Sequence, residues 1–336
     1  MATDKGAKPR RRAKIVAFAA LAAALLAAAY VVEFFGGEGR IPSWDRLYHA
    51  VGLTTNLPQT DARPQNPNTA RVTVLDVGQG DAVLLEQNGA YALVDAGTWD
   101  AGPGLVRQLQ GAGAESLELL VMTHPHADHM GGMPEVLKNI GVKTLLLPDL
   151  TGAEENNVVE QIQRLAAEQG TAIVPAEDGQ EYPLGSGTLT VLGTGVVSAA
   201  ESTDDAANDR SLALRFTAGN FSFLTTGDAE TEEETALVAQ YGGALHSTLL
   251  KAGHHGSATS STEDFLKSVS PQAIAISCGL ENDYGHPHAA ALRRMQQTNA
   301  EIWRTDEQGS VTFLWDGTAL QATATGREEE ALAPAA

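Results

Sequence analysis

The residues in this chain best suited to chemistry lie in Thr123-His124-Pro125-His126-Ala127-Asp128-His129, which sets three of its nine histidines beside an aspartate. In extended backbone, alternate side chains point the same way, so His124 and His126 can face one cation together. Asp128 and His129 are neighbours, so the chain must turn there, and both can then face a second cation. Imidazole nitrogen and carboxylate oxygen suit zinc or manganese without any thiolate. Gly131-Gly132 follows and allows a tight turn into a helix. The spacing predicts a site for two divalent metal ions; the plainer alternative is a solvated histidine-rich loop.

The elements that must position these residues show in the hydrophobic pattern. A continuous apolar run at 117–123 leads into the motif and reads as a buried strand. Further strands are expected at 71–77, 82–86, 91–95, 142–147, 189–192, 212–216, 221–226, 248–251, 273–277 and 311–315. Turn signals such as Gly78-Gln79-Gly80 and Asn88-Gly89 separate the first of them. Helices are expected at 104–109, 133–139, 154–169, 232–240, 262–267 and 289–298. The clearest is 154–169, with Val158, Ile162 and Leu165 on one face. Two β-rich halves with interspersed helices predict an α/β chain of two sheets packed face to face, helices outside. Asp76 and Asp81 flank the Gly-Gln-Gly turn and are read as turn residues, a site-facing role being the alternative. Cys278 is the single cysteine. That excludes an internal disulfide framework and a cysteine-rich zinc site, and the apolar run around it points to a small buried residue.

The His-x-His-x-Asp-His pattern resembles the metallo-β-lactamase superfamily, over roughly residues 71–316. Five further segments resemble the C-terminal hydrolase domain of the ComEC competence proteins, in the same order. They are Leu75-Asp76-Val77-Gly78-Gln79-Gly80-Asp81-Ala82, Asn208-Asp209-Arg210-Ser211-Leu212, Thr226-Gly227-Asp228, His254-His255-Gly256-Ser257 and Tyr284-Gly285-His286-Pro287. The resemblance implies a metallo-β-lactamase-type αββα sandwich of two packed mixed β-sheets. It implies two metals held by His124, His126, Asp128, His129, Asp228 and one of His254 and His255, the pair leaving open which one. Asp228 would be the bridging carboxylate; its alternative is an N-cap for the helix that follows. Asp95 would brace the metal loop by hydrogen bonds. Asp128 is counted with the catalytic residues, as is His286, which could meet a phosphate or supply a proton. Ser257 could bond a phosphate oxygen, although its turn context favours a structural role. Many members carry a third histidine on the first metal, yet no histidine lies between His129 and His246 here. Asn208 is the expected occupant, which predicts a weaker first site and manganese in place of zinc.

The implied activity is metal-dependent hydrolysis, most directly of a phosphodiester. DNA is the substrate that the resemblance suggests, with cell-wall phosphodiesters such as phosphorylcholine left open. The alternatives are a hydrolase of another ester or amide, or a cell-surface binding protein with a vestigial site. The net charge of −20 argues against a broad nucleic-acid surface. Residues 1–14 oppose that charge, with six basic groups against one acid, and read as a basic cytoplasmic segment. Residues 15–35 form an apolar run of 21, interrupted by Glu33, long enough for a transmembrane anchor. A signal peptide is the alternative, and with it a secreted product. The positive-inside bias places the catalytic domain outside a single-pass cell-membrane anchor. Residues 36–70 read as a proline-rich linker, with a short amphipathic helix around Trp44, Leu47, Tyr48 and Val51. Residues 71–326 form the catalytic domain and 327–336 a frayed tail. No obligate protein partner is evident.

Overall fold

The computed structural model describes residues 68–150, 156–195 and 207–326. The basic segment, the apolar run at 15–35, the linker as far as residue 67 and the tail at 327–336 lie outside the described residues. Among the described residues, no helix is long and apolar enough to cross a membrane.

The first half runs β1 (Ala70–Val74), β2 (Val83–Gln87), β3 (Ala90–Val94), α1 (Gly102–Gly111), β4 (Ser116–Val121), α2 (Ala127–Met130), α3 (Met133–Asn139), β5 (Gly141–Leu147), α4 (Asn157–Gln169) and β6 (Ala172–Pro175). The second half follows with β7 (Glu181–Leu184), β8 (Gly187–Gly193), β9 (Ala213–Ala218), β10 (Phe221–Thr225), α5 (Thr231–Tyr241), β11 (Leu249–Lys251), α6 (Glu263–Val269), β12 (Ala273–Ile276), α7 (Ala289–Gln296), β13 (Glu301–Arg304), α8 (Thr305–Gln308), β14 (Val311–Trp315) and β15 (Leu320–Ala324). They assemble into an eight-stranded sheet, β15-β14-β1-β2-β3-β4-β5-β6, and a seven-stranded sheet, β13-β12-β11-β10-β9-β8-β7. Both are mixed. Pairing is antiparallel from β15 to β3 and parallel from β3 to β6; the second sheet is parallel from β10 to β13 and antiparallel from β10 to β7.

Alternation along the strands builds the layers. Leu119 and Val121 of β4 turn inward between the sheets, where they join Val72, Val94, Leu214, Phe216, Phe221, Phe223 and Phe313. Leu120, between them, faces outward and joins a cluster with Leu105 of α1, Val136 of α3 and Ile162 of α4. On the other sheet, Leu224, Leu250 and Ile276 pack under Leu237 of α5, Phe265 of α6 and Met295 of α7. A strand covered on both faces reads as a continuous apolar run, which is why β4 stands out in the sequence. The αββα sandwich is thus the observed architecture.

The differences are local. The face of α4 centres on Val159, Ile162 and Ala166, with Val158 and Leu165 at its border, one residue later than expected. Four strands without a sequence signal are present: β6, β7, β13 and β15. Cys278 is buried as expected, its thiol pushed up to about 12 by burial and the nearby Asp306.

Candidate metal centre

In α/β sheets, functional groups collect beyond the carboxyl ends of parallel strands. Here both sheets point such ends at the same seam. β3 delivers Asp95 and β4 delivers the His124–His129 loop, while β10 delivers Asp228 and β11 delivers Lys251, His254 and His255. Cross-sheet hydrogen bonds close the seam. Leu212 N–H donates to Thr123 O at 3.0 Å, Ser277 Oγ to Gly80 O at 2.7 Å, and Gly279 N–H to Gln79 Oε1 at 3.0 Å. The Gly-Gln-Gly turn docks directly on the metal-loop motif: Asp81 N–H donates to Asp128 O at 3.0 Å, and a Cβ on Gly80 would lie 2.4 Å from that oxygen. Only glycine permits this approach.

At the floor, His129 Nε2 lies 3.2 Å from Asp228 Oδ2 and 3.3 Å from His255 Nε2. His255 Nε2 is 3.3 Å from Asp228 Oδ2 and 3.2 Å from Asp128 Oδ2. The other ring nitrogens are held from behind. Asp95 Oδ2 meets His129 Nδ1 at 2.7 Å and accepts from Thr123 Oγ1 at 2.6 Å, while Asp95 Oδ1 accepts from Thr123 N–H at 2.8 Å. Ser277 O takes His255 Nδ1 at 3.0 Å. Each Nε2 is thereby aimed into the basin. The Thr123 hydroxyl, already donating to Asp95, accepts from His124 Nδ1 at 3.1 Å; His124 Nε2 then faces His126 Nδ1 at 3.0 Å.

Charge in this basin is self-compensated. Burial opposes ionisation of Asp228, but the His129 and His255 imidazoles outweigh it and hold the carboxyl well below its ordinary value. Burial likewise opposes charge on those imidazoles, and Asp228 with Asp95 or Asp81 lifts them well above theirs. Asp128 is held at about 2 against its burial, chiefly by His255 and His129. His124 is pushed the other way, by burial and then by His129, and stays neutral.

The mouth is a cavity of about 350 Å³ lined by Gln79, His126, Asp128, Asn208, His254 and His286 among others. The structure separates the histidine pair. His255 is buried in the basin; His254 is 3.8 Å from Asp228 Oδ2, leans on Glu230 at 3.2 Å and lines the cavity. Asn208 is buried at the cavity, Oδ1 without a hydrogen-bond partner. His286 lies at the rim, Nδ1 3.3 Å from Gln79 Nε2, its ring stacked between Tyr284 and His255. Burial and then the His255 charge lower it to about 4. Asp228 does not cap a helix; that position before α5 belongs to Glu230. Ser257 is absent from the cavity lining, and its hydroxyl pairs with Thr259 at 3.0 Å within its own turn. His288 is likewise structural, accepting from Ala258 N–H at 2.9 Å.

Two basin residues lie outside the site set that the sequence favours. Asp81, for which the turn is the favoured reading and a site-facing role the alternative, is 2% exposed and clusters with His129, Asp228 and His255. Lys251, taken only as the end of a strand, is fully buried against Asp81. The donor set fits divalent metal: among the described residues, Asp81, His129, Asp228 and His255 offer ligand atoms within 4.8 Å of one another, and buried Asp228 Oδ1 has no hydrogen-bond partner. An orphaned buried carboxylate oxygen needs a cation or an ordered donor.

A family model described as the Metallo-beta-lactamase superfamily matches residues 75–279. "Competence protein ComA" of Neisseria gonorrhoeae is 36% identical over 249 residues, which is 73% of this chain and 32% of that protein. "ComE operon protein 3" of Bacillus subtilis (strain 168) is 30% identical over 263 residues, 73% of this chain and 33% of that protein. The chain spans about a third of the length of these relatives. Among solved structures, the metallo-β-lactamase fold protein YhfI from Bacillus subtilis superposes with a TM-score of 0.51 at 16% identity, covering 74% of this chain and 99% of YhfI. That likeness concerns the fold alone.

Proposed function

This chain belongs to the metallo-β-lactamase superfamily, and we propose that it is a two-metal phosphodiesterase. The observation that carries the reading is the convergence of buried His129, His255 and Asp228 with the half-buried Asp128 under an open cavity. His124, His126 and Asp228 would hold one ion; Asp128, His129, His255 and Asp228 would hold the other, with zinc or manganese suited to both. Ions bound there would supply Lewis acidity toward a phosphoryl oxygen and bring the pKa of water toward neutrality. The protein fixes everything around them. Asp95 and Ser277 O set the tautomers of His129 and His255, so both present Nε2. Gln79 can donate to His286 Nδ1, which leaves His286 Nε2 as a neutral N–H donor at the rim, where a phosphate oxygen or leaving group can meet it. Asn208 offers its free carbonyl oxygen to the cavity, as a weak ligand or a substrate contact.

DNA is the substrate we favour, because the relatives named above include a competence protein. The −20 charge makes short segments, with few phosphates to repel, a better match than long DNA. We place the catalytic domain outside the cell on a single membrane anchor, from the basic block and the apolar run of residues 15–35. The test of activity compares bis-p-nitrophenyl phosphate with nitrocefin, with zinc or manganese added, and assays metal content in the same sample. Phosphodiester cleavage with bound metal is expected. Cleavage of nitrocefin alone, or a protein that takes up no metal, would refute the reading. Protease added to intact cells should remove the catalytic domain; protection until lysis would reverse the topology.

A further inference from the structure

Lys251 has no part in the hydrolytic reading, yet its side chain is wholly buried at the heart of the site. Its Nζ is paired with Asp81 Oδ2, donates to Gly227 O at 3.2 Å and lies 3.9 Å from Asp228 Oδ1. An ammonium this deep is retained only where carboxylates and carbonyls surround it. Asp81 is held just as firmly. Its N–H donates to Asp128 O and its carbonyl accepts from Gly97 N–H at 2.7 Å, so its backbone cannot swing. Its carboxylate touches the two basin imidazoles on one side only. Asp81 Oδ1 is 3.3 Å from His255 Nδ1, and Asp81 Oδ2 is 3.9 Å from His129 Nδ1. The Nε2 atoms of the same rings point the other way, toward Asp228. Asp81 thus stands behind the histidines, whereas a cation shared by their Nε2 atoms and Asp228 would stand in front.

We propose that Lys251 and Asp81 are a positioning pair. The ammonium engages Asp81 as its counter-ion and keeps that carboxylate out of the coordination sphere, although Asp81 belongs to the same cluster of possible ligands. This assignment rests on the metal reading of the basin. It narrows the ligands of the second ion to Asp128, His129, His255 and Asp228. It also makes Lys251 a resident cation that competes with the metal for the field of Asp228.

Removing the ammonium should therefore favour the metal. In Lys251→Met, the freed Asp81 carboxylate can turn about its side-chain torsions toward the ligand atoms of His129, Asp228 and His255, which lie within 4.8 Å, and a positive charge beside Asp228 is gone. Oxygen donors favour manganese more than zinc, so the gain should be larger for manganese. A lysine that merely filled space would not shift that preference. The test measures zinc and manganese affinity by chelator competition on the full chain, for wild type, Lys251→Met and Lys251→Met/Asp81→Asn. The single variant should bind manganese at least tenfold more tightly, with a smaller gain for zinc. The double variant, which removes both charges and leaves neither orphaned, should return to within fivefold of wild type. An unchanged or weaker manganese affinity in Lys251→Met overturns the pairing. So does a double variant more than fivefold weaker than wild type, because Asp81 would then be a ligand. If the single variant does not fold, the double variant decides by the same limit. A wild type that binds neither metal refutes the metal centre itself, and the pairing with it.

Discussion

Asp95→Asn isolates how one buried carboxylate sets up the metal loop. Asp95 is 1% exposed, and its two oxygens meet three groups: Thr123 N–H at 2.8 Å, Thr123 Oγ1 at 2.6 Å and His129 Nδ1 at 2.7 Å. Its φ of +58° is left-handed, a region that asparagine also tolerates, so the substitution adds no backbone strain. What changes is one oxygen acceptor into an NH2 donor. If the amide keeps its oxygen on Thr123 N–H, its NH2 faces His129 Nδ1, which must then accept. The imidazole proton moves to Nε2, the nitrogen aimed at Asp228 and His255. That tautomer cannot ligate a metal without a further rearrangement. Losing a support of this kind typically weakens metal binding about 10- to 100-fold, and each tenfold step corresponds to about 1.4 kcal/mol. The metal-free protein should lose about 1.5–3 kcal/mol from the charge-assisted bond to His129. Chelator competition with zinc measures the first quantity and urea unfolding in chelator the second. The loss should fall on one ion of the two. A variant with both affinities within threefold of wild type would show that Asp95 does not orient His129 for ligation.

Asp228→Asn should abolish phosphodiester hydrolysis with the circular dichroism spectrum kept; retention of more than about a tenth of the wild-type rate, a barrier change of only ~1.4 kcal/mol, would sink the bridging assignment. Asn208→His supplies an imidazole where a buried carbonyl oxygen has no partner, so calorimetry should show tighter binding at the first site; two equally tight sites in the wild type, unaffected by the substitution, would move Asn208 out of the coordination sphere. Glu234 is buried in α5, accepts from Ser261 N–H and Thr262 N–H at 2.7 Å from the latter, and is raised by burial from 4.5 to about 7. Because the folded form holds its proton to higher pH than the unfolded chain, stability contributed by this group is full below pH 4.5 and declines as pH rises toward 7, by roughly 3 kcal/mol. Glu234→Gln should remove that part of the slope in urea melts at pH 5 and 8, and an unaltered slope would discredit the raised value.

The legible parts of this chain were those whose signal is local. β4 and β10 are buried on both faces, so their apolar runs announce them, and the His124–His129 loop follows β4 directly. β6, β13 and β15 show mostly half-buried or exposed residues, because β6, β13 and β15 are sheet edges or near-edges with little apolar surface to hide. The histidine pair was undecidable from adjacency. Both residues adopt positive φ, 49° at His254 and 54° at His255, and this turn sends one ring to the floor and the other to the mouth. Lys251 carries no local mark, and the mark on Asp81 is that of a turn. Their burial comes from each other across 170 positions of sequence, and a lysine ending a strand is ordinarily solvated.

The seam has a bearing on the order in which this protein assembles. Asp128 and His129 come from one sheet, Asp228 and His255 from the other, so neither half-sandwich alone contains a complete coordination set. Cations can select only chains whose sheets have already docked, which places metal capture after the slowest, most non-local event of folding. Binding energy then accrues to docking by mass action, about 2.7 kcal/mol for free metal at a hundredfold excess over its Kd. Starvation for metal is accordingly expected to loosen the seam at Thr123–Leu212 and Gly80–Ser277, while the apolar core between the sheets and the ladders within each sheet persist.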